Sequence, residues 1–419
     1  MPVRAELLAV GDELLYGDIL NGNAAQLGRQ LADVGITVTH SGVVGDDIET
    51  IAEALRAALG RADAVLLTGG LGPTQDDLTR EGLARAAGVE LVRDEFLESQ
   101  LRHRFRDLRR NVPDMNYRQA NLPAGAEPLP NERGTAPGIK LELLGGIAYA
   151  LPGPPHEMQP MFASSVLPDL LRRAGEPAVV VHRVLHTSGM WESAVAEAMA
   201  PEVQRLAAQV AAGQDRNPTI AFLASGGQTR VRISARAANR TEAYKLIEPI
   251  EAFGREALGE GLYGIDDETL EGVVHGRLLE RGETVAVAES LTGGLLAARL
   301  SETPGASETF RGGIVAYQAE LKDQLLGANA VARGAVTEET AQRMAAGARE
   351  RLGATWGLAT TGVAGPTESE GHPVGTLYLG LAGPDGTQTR HVQLPGDRPM
   401  VRMLSVVQAL DLLRRTIQR

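Results

Sequence analysis

The sequence predicts an α/β protein with two wound α/β domains and a small α+β module between them. Apolar segments of strand length alternate with amphipathic helical segments over the first ~170 residues, and the alternation returns from about Gly259. Between these regions, a hairpin with two adjacent glycines lies between two helical segments. The length of 419 residues fits two to three domains. We therefore place the domains at residues 1–174, 175–257 and 258–419.

The first domain is predicted to wind strands and helices around a mainly parallel sheet. Ala24, Leu27, Leu31 and Val34 recur at helical spacing in its first helix. The predicted strands are residues 3–10, 36–44 and 64–68, and the predicted helices are residues 21–34, 48–59 and about 152–174. Residues 121–138 are rich in proline and glycine and are predicted to form an ordered loop at the same sheet edge.

The other two domains are predicted from the same periodicities. After a linker at residues 175–177, the middle module contains a strand (178–187), helices (191–200 and 242–258) and a hairpin (219–224 and 229–235). The last domain contains helices at residues 269–281, 293–301, 338–352 and 399–417, and strands at residues 284–289, 313–317, 356–361 and 376–382.

Composition excludes several classes of function. Cysteine is absent, which excludes disulfides, thiolate metal sites and cysteine nucleophiles. The net charge of −12 argues against a general nucleic-acid binder. No apolar run is long enough for a membrane helix, and no secretory signal is visible at the start, so we expect a cytoplasmic protein that binds neither membranes nor nucleic acid.

A glycine-rich loop follows the apolar strand at residues 64–68 and leads into a helix. Gly69, Gly70 and Gly72 would let the backbone approach a ligand, and a helix N-terminus favours phosphate. The carboxyl end of such a strand is also where open α/β sheets bind ligands. The alternative is a tight turn with a capping box, because Thr74 and Asp77 have the required spacing.

Carboxylates follow the neighbouring strands. Asp12, Glu13 and Asp18 follow the first strand, and Asp46 and Asp47 follow the second. Oxygen ligands at strand ends suit a hard cation such as Mg²⁺, which would bridge a diphosphate. For Asp46 the alternative is helix capping, because Glu49 stands three residues later.

These motifs together resemble the molybdopterin-binding MogA/MoaB-like domain, in the version found at the N-terminus of CinA proteins, the competence/damage-inducible family. The matching segments are residues 11–18 (GDELLYGD), 68–79 (TGGLGPTQDDLT), 131–138 (NERGTAPG) and 151–155 (LPGPP). The resemblance implies metal-dependent ADP-ribose pyrophosphatase activity. It places Gly69, Gly70, Gly72, Thr74 and Asp77 at a nucleotide site, and Asp18, Asp46 and Asp77 at a divalent metal.

In the last domain, Ser290 directly follows the strand predicted at residues 284–289. A pair of glycines and then a helix come after this serine. A serine there would lie near backbone N–H groups that can stabilise an oxyanion, although an N-cap is the alternative. A serine nucleophile needs a base. Lys322, one of only three lysines among 41 basic residues, follows Tyr317 by five positions and is predicted near a helix start. A lysine with a lowered pKa, or a tyrosinate held by it, could take the proton.

A second glycine loop at residues 360–367 ends another predicted strand. Its N–H groups could hold a carbonyl oxygen or a phosphate, and the alternative is a simple strand-ending turn. Arg398 and Arg402, near the start of the final helix, could pair with phosphate, or could lie on a solvated helix face.

Residues 285–294 (VAVAESLTGG), 304–317 (PGASETFRGGIVAY), 361–366 (TGVAGP) and 373–376 (PVGT) resemble the CinA C-terminal domain, the nicotinamide-mononucleotide amidase. The resemblance implies deamidation to nicotinate mononucleotide and ammonia without a cofactor, with Ser290 as nucleophile and Tyr317 and Lys322 as the base system. The expected substrate-binding residues are Thr292, Gly293, Gly294, Thr361, Gly362, Gly365, Arg398 and Arg402. Residues 367–372 depart from the pattern of the family, so no substrate contact is assigned to that segment.

The middle module then corresponds to the KH-like linker of CinA proteins. RNA-binding KH domains use a G-x-x-G loop, and no two glycines between Gly175 and Gly254 are three apart. We therefore expect a spacing or dimerisation role, and a homodimer from the resemblance.

The sequence thus predicts a bifunctional enzyme of pyridine-nucleotide recycling that acts on nicotinamide mononucleotide and ADP-ribose. Two alternatives remain. One is an amidase with a non-hydrolytic pterin- or nucleotide-binding N-terminal module, and the other is a competence or DNA-recombination accessory protein.

Overall fold

The computed structural model describes residues 3–107, 113–175, 179–215 and 217–418. The chain divides into two compact units, residues 1–181 with 236–243, and residues 182–235 with 244–419. Residues 176 and 177 of the predicted linker lie outside the described residues. The three predicted domain ranges stay a prediction.

The first unit is built on a six-stranded sheet that is mainly parallel, as predicted, with two antiparallel strands at one edge. Its strands β2, β1, β3 and β8 pair in parallel, whereas β7 and β6 are antiparallel, in the order β2-β1-β3-β8-β7-β6. A separate antiparallel pair joins β4 to β5. The strands of this unit are β1 (Arg4–Val10), β2 (Thr37–Val44), β3 (Ala64–Thr68), β4 (Leu91–Arg93), β5 (Asn121–Pro123), β6 (Glu127–Leu129), β7 (Gly138–Leu143) and β8 (Gly146–Leu151).

The helices of the first unit pack around this sheet. Asn21 caps α2 by accepting from the amide of Ala24, and Asp47 caps α3 by accepting from the amide of Thr50. The helices are α1 (Asp12–Leu15), α2 (Gly22–Asp33), α3 (Ile48–Leu59), α4 (Thr79–Ala87), α5 (Glu95–Asp107), α6 (Pro155–Met161) and α7 (Leu167–Ala174). A π-helical turn, Phe162–Val166, joins α6 to α7 and makes one continuous helical segment.

The predicted loop at residues 121–138 is wrong in part, because it contains β5 and β6. Both strands are three residues long and each contains a proline, so the sequence pattern there resembled a loop. The carboxyl ends of the parallel strands meet at one edge. Val10 pairs with Val44, and Thr68 pairs with Leu151, so Gly11, Gly69 and Pro152 begin three neighbouring loops.

The middle module has a four-stranded sheet in the order β10-β11-β9-β12. Its elements are β9 (Val179–Thr187), α8 (Glu192–Ala211), β10 (Thr219–Ser225), β11 (Gln228–Ala237), α9 (Arg240–Leu258) and β12 (Leu262–Ile265). The predicted hairpin is confirmed, with its turn at Gly226 and Gly227. The predicted end of a helix at residue 200 is wrong: α8 continues through Pro201, because proline weakens a helix without always ending it.

The last domain has a mixed sheet in the order β14-β13-β15-β16-β17. Its strands β13, β14 and β15 are parallel, and β16 and β17 complete the sheet in antiparallel orientation. The elements are α10 (Leu270–Glu280), β13 (Val285–Glu289), α11 (Leu295–Ser301), β14 (Phe310–Val315), α12 (Ala319–Leu326), α13 (Ala330–Arg333), α14 (Glu338–Leu352), β15 (Trp356–Gly362), β16 (Thr376–Gly383), β17 (Gly386–Gln393) and α15 (Arg398–Ile417).

In this domain one predicted strand is displaced, and one strand, β17, was not predicted. The strand predicted at residues 313–317 begins three residues earlier and ends two residues earlier, so Tyr317 is beyond its end. The edge strand β17 has the polar sequence GTQTRHVQ, which gives no hydrophobic alternation to detect.

Buried apolar side chains on both faces of the central strands hold each wound sheet together. All residues of β3 and of β13 are buried. Each fully buried Val or Leu side chain contributes about 1.5–3 kcal/mol. Within the described residues, no helix is both long and apolar enough to cross a bilayer.

Candidate active sites

A cleft of about 400 Å³ lies at the carboxyl ends of β1, β3 and β8. The three predicted glycines Gly69, Gly70 and Gly72 line it. Gly69 has φ 101°, and a Cβ there would lie 2.3 Å from the Val10 carbonyl oxygen. Glycine is therefore required where this loop crosses the end of β1.

The glycine-rich loop is held by its own side chains. The Asp77 carboxylate accepts from the amides of Gly72 and Thr74, both at 2.8 Å, and from the Thr74 hydroxyl at 2.5 Å. The helix begins later, after Leu78, with no side-chain cap, so the capping-box alternative for Thr74 and Asp77 is wrong. Asp77 lines the cleft, and its carboxylate is bound to groups of the loop itself. Thr74 is not among the residues that line the cleft.

The amides of Gly70 and Leu71 are adjacent in this loop. Neither donates to an acceptor among the described residues, whereas the Gly69 amide donates to the Leu151 carbonyl. Arg80, almost fully buried, donates to the carbonyls of Leu71 and Gly72 and fixes the direction of the loop. The two adjacent free amides can therefore receive an anion.

Two of the three predicted metal residues, Asp46 and Asp77, line the same cleft, and the third does not. Asp46 lines the cleft and accepts from the Asp12 amide at 3.0 Å, while Asp18 is not among the lining residues. In the described part of the chain, no three His, Asp or Glu side chains are grouped so that they could hold a metal ion. Asp18, Asp46 and Asp77 thus do not fit a preformed metal centre.

Asp46 does stand in an acidic environment. Burial is the main reason that the pKa of Asp46 is raised, and the charges of Asp12, Glu13 and Asp76 add to it, against the Asp12 N–H that lowers it. The prediction that Asp46 caps α3 is wrong, because the cap is the next residue, Asp47.

One cleft residue had no sequence signal. Gln119 is 1% exposed, and its side-chain oxygen has no hydrogen-bond partner among the described residues, although it lines the cleft. A buried amide oxygen without a partner is costly unless a ligand or water supplies a donor.

The second candidate site lies at the carboxyl edge of β13, between two parallel neighbours. Glu289 pairs with Val315 on one side and with Thr360 on the other, so Ser290 stands between the ends of β14 and β15. Ser290 is 6% exposed, and its amide donates to the Thr360 carbonyl at 3.0 Å. The helix α11 begins after Gly294 without a side-chain cap, so Ser290 is not its N-cap.

Glu289 occupies the helix N-terminus that was expected to serve an oxyanion. Its buried carboxylate accepts from the amides of Gly294, Leu296 and Ala297 at 2.8–3.0 Å. The Gly293 amide donates to the Ser290 carbonyl. The Gly293 amide is therefore already engaged within the loop. The amides of Leu291 and Thr292 donate to no acceptor in the described chain, and they directly follow the serine.

Lys322 is buried next to this edge. It is 2% exposed, and its Nζ lies 3.5 Å from the hydroxyl of Thr361, which itself donates to the Ala335 carbonyl at 2.6 Å. Burial lowers the pKa of Lys322, and the negative charges of Glu370 and Asp323 oppose that effect.

Tyr317 stands apart from Lys322. Its side chain is about half exposed, and its hydroxyl accepts from Arg398 at 2.7 Å. Arg398 also donates to the Gly365 carbonyl at 2.6 Å. No hydrogen bond of the described residues joins Tyr317 to Ser290 or to Lys322.

The loop after Ser290 is clamped on two sides. Arg402 donates to the carbonyls of Leu291 and Thr292 at 3.0 and 2.8 Å. The hydroxyls of Thr292 and Thr360 are 2.8 Å apart, and both residues are fully buried. The predicted substrate residues Thr292, Arg398 and Arg402 thus bind protein groups. At Gly362, a Cβ would lie 2.2 Å from the Thr376 carbonyl oxygen, so the glycine permits close strand pairing.

The fold and the sites define a multidomain α/β protein with one candidate site at the carboxyl strand edge of each wound domain. Family comparison assigns each part. Residues 6–172 match the probable molybdopterin binding domain, residues 182–264 match the KH domain of damage-inducible protein CinA, and residues 267–417 match the CinA C-terminal domain.

Relatives are similar over nearly the whole chain. A "CinA-like protein" from Frankia casuarinae is 67% identical over 423 residues, covering 99% of this chain and 96% of that protein. A "putative competence-damage inducible protein" from Moorella thermoacetica is 42% identical and covers 86% of each chain. A solved CinA structure from Thermoplasma acidophilum, at 34% identity and TM-score 0.38, matches 40% of this chain and 98% of that one. This protein belongs to the CinA family.

Proposed function

We propose that the C-terminal domain hydrolyses the amide of nicotinamide mononucleotide to nicotinate mononucleotide and ammonia. The observation that carries the proposal is Lys322, a buried lysine with a lowered pKa at the strand edge that presents Ser290. A lysine in its neutral form can act as a general base, and burial of this kind is typical of functional sites.

The proposed reaction has two steps. Ser290 Oγ attacks the amide carbon and its proton passes to Lys322, directly or through the Thr361 hydroxyl, while the amides of Leu291 and Thr292 receive the oxyanion. Lys322 then returns the proton to the leaving nitrogen, and ammonia departs. Water attacks the resulting ester and gives a proton to Lys322, which passes it to the departing Ser290 Oγ, so that the nicotinate product and the free serine are released.

We propose Lys322 rather than Tyr317 as the base. Tyr317 is half exposed and accepts a hydrogen bond from Arg398, which places it at the rim of the site. In this account Tyr317 and Arg398 contact the substrate at that rim, where a guanidinium group can pair with its phosphate.

The test measures ammonia release from nicotinamide mononucleotide by the full chain. We expect Lys322→Met to lower kcat about 10²–10⁴-fold, the usual effect of losing a general base. Lys245→Met is the matched control, because Lys245 is an exposed lysine outside this domain, and it should keep the native rate. Equal rates for Lys322→Met and the native chain would overturn the assignment.

We also propose that the N-terminal domain binds ADP-ribose in its cleft and hydrolyses the diphosphate to AMP and ribose 5-phosphate. The unpartnered Gln119 oxygen and the free amides of Gly70 and Leu71 support a nucleotide ligand. A divalent metal would neutralise the diphosphate charge. Mg²⁺ commonly needs only one or two carboxylates beside phosphate oxygens, and Asp46 in the cleft is the carboxylate we propose for it.

The N-terminal test measures AMP formed from ADP-ribose with Mg²⁺ and with EDTA. We expect AMP only with the metal, and we expect Gln119→Leu to lower AMP formation while ammonia release by the same protein stays native. ADP-ribose binding without AMP formation would instead support a non-hydrolytic nucleotide-binding module.

A further inference from the structure

A strained turn stands close to the C-terminal site. Ser369 and His372 exchange backbone hydrogen bonds at 3.2 and 2.9 Å across a two-residue turn. Both central residues are left-handed, with φ 52° at Glu370 and 76° at Gly371. Such turns favour glycine, asparagine or aspartate at these positions, so a glutamate there is strained. Strain of this kind often marks a functional constraint.

The strained turn delivers the Glu370 carboxylate to a neighbouring segment. One carboxylate oxygen accepts from the amides of Ala335 and Val336 at 2.8 and 3.1 Å. The Ala335 carbonyl, in turn, accepts from the Thr361 hydroxyl, which lies 3.5 Å from Lys322 Nζ. A continuous chain of contacts therefore runs from Glu370 to the buried lysine.

A second carboxylate holds the other end of the same segment. Asp323, next to Lys322 in α12, accepts from the amides of Ala330 and Val331. Asp323 and Glu370 are also the two charged groups that act on Lys322. Residues 330–336 are thus fixed at both ends by the two carboxylates whose charges raise the pKa of Lys322.

We propose that Glu370 is a positioning residue of the amidase site, which fixes residues 330–336 against Thr361 and supplies a negative charge facing Lys322. The inference rests on the proposed function of Lys322 as base. Asp323 already stands beside the lysine, so Glu370 adds a charge from outside that helix. A protonated lysine is stabilised by this charge, and removal of the charge favours the neutral amine.

The rarity of lysine makes the charge of Lys322 directly measurable. A full chain labelled with ¹³C-lysine gives signals from Lys140, Lys245 and Lys322 alone, and Lys322→Met identifies the third. We expect Glu370→Gln, which keeps an acceptor oxygen but removes the charge, to move the titration midpoint of Lys322 to lower pH. Glu368→Gln, the same change two residues earlier in the loop, should leave the midpoint in place.

Kinetics provide the second measurement. In Glu370→Gln, the acidic limb of ammonia release against pH should move to lower pH with the midpoint, while Glu370→Gly should show the same shift and also a lower kcat. An unchanged Lys322 midpoint in Glu370→Gln, or an equal shift in Glu368→Gln, overturns the proposal. A shifted midpoint in a chain that releases no ammonia supports the role of Glu370 and rejects the amidase instead.

Discussion

Lys322 is the residue on which the proposed C-terminal chemistry depends. An ammonium group loses much of its hydration when it is buried, and this lysine is 2% exposed without a carboxylate in direct contact among the described residues. Its neutral form is therefore favoured more than that of an exposed lysine. A buried lysine with a lowered pKa, close to the strand edge that carries Ser290, suits the general base that the proposed reaction needs.

Glu289 is a buried residue with a structural role, in contrast to Lys322. Its carboxylate satisfies three amides at the start of α11 and so fixes the loop that carries Ser290. We predict that Glu289→Gln destabilises the domain by about 3 kcal/mol, because an amide group must face an N–H donor and the charge-assisted bonds are lost. Urea unfolding followed by Trp356 fluorescence in a Trp191→Phe background measures this loss.

Glu350→Gln is the control for that experiment, since Glu350 is exposed on α14 in the same unit. It should change the free energy of unfolding by less than about 0.5 kcal/mol. Equal stability of Glu289→Gln and Glu350→Gln would contradict the capping role.

The sequence indicated a site residue only where an unusual residue type stood at a position typical of a site, such as the end of a strand. The rarity of lysine drew attention to Lys322, and the glycines that precede Pro73 indicated the cleft loop. The partner of Tyr317 could not be predicted, because Arg398 is 81 positions away and the two meet only in the folded chain. Gln119 carried no signal, since only burial makes its oxygen unusual.

At the scale of elements, the hairpin turn of the middle module packs closely on α15. A Cβ at Gly227 would lie 2.1 Å from a methyl carbon of Leu404, and Gly226 approaches Met403. Arg402, beside them, holds the loop after Ser290. The middle module therefore supports the helix that clamps the loop after Ser290.

We predict that Gly227→Ala destabilises this packing and lowers ammonia release. The left-handed φ of 74° adds strain, so Gly213→Ala is the matched control: Gly213 has φ 83° but open space around it. Gly227→Ala should lower the free energy of unfolding by about 1–3 kcal/mol more than Gly213→Ala does. If both variants unfold at the same urea concentration, the turn does not pack as described. Recovery in a Gly227→Ala, Leu404→Ala double variant would identify Leu404 as the obstacle.

The elements that the sequence predicted best are those with strong periodicity. The helix at residues 48–59, the strand at residues 64–68 and the helix at residues 338–352 are confirmed with the same bounds. Short strands with prolines, such as β5 and β6, and the polar edge strand β17 were missed. Their pairing depends on neighbours far away in sequence, which local patterns do not contain.

At the scale of the whole molecule, a buried ionic cluster within the second unit connects the middle module to α15 of the last domain. Asp411 and Arg414 are fully buried in α15, and Asp411 also accepts from Ser188 at the end of the middle module's first strand at 2.6 Å. Burial alone would raise the pKa of Asp411, but the Ser188 hydroxyl and the charges of Arg414 and Arg415 outweigh it and hold the pKa below its usual value.

We predict that Asp411→Asn destabilises this unit by about 3–5 kcal/mol at neutral pH, since Arg414 would lose its buried partner. The native contribution is complete above the unfolded-state pKa of about 3.9 and is lost as pH falls through the lower folded-state pKa. Stability of Asp411→Asn should therefore fall less steeply below about pH 4 than that of the native chain. Asp385→Asn, at an exposed turn, should follow the native curve, and parallel curves for all three proteins would refute the prediction.

The central claim is that Ser290 is the nucleophile of an amidase, and the most direct measurement is ammonia release from nicotinamide mononucleotide by Ser290→Ala. Ser301→Ala, an exposed serine at the end of α11, is the control. We predict a loss of at least about 10³-fold in kcat for Ser290→Ala, with native rates for the control and native AMP release from ADP-ribose in both. Ammonia release by Ser290→Ala within about tenfold of native would contradict the account.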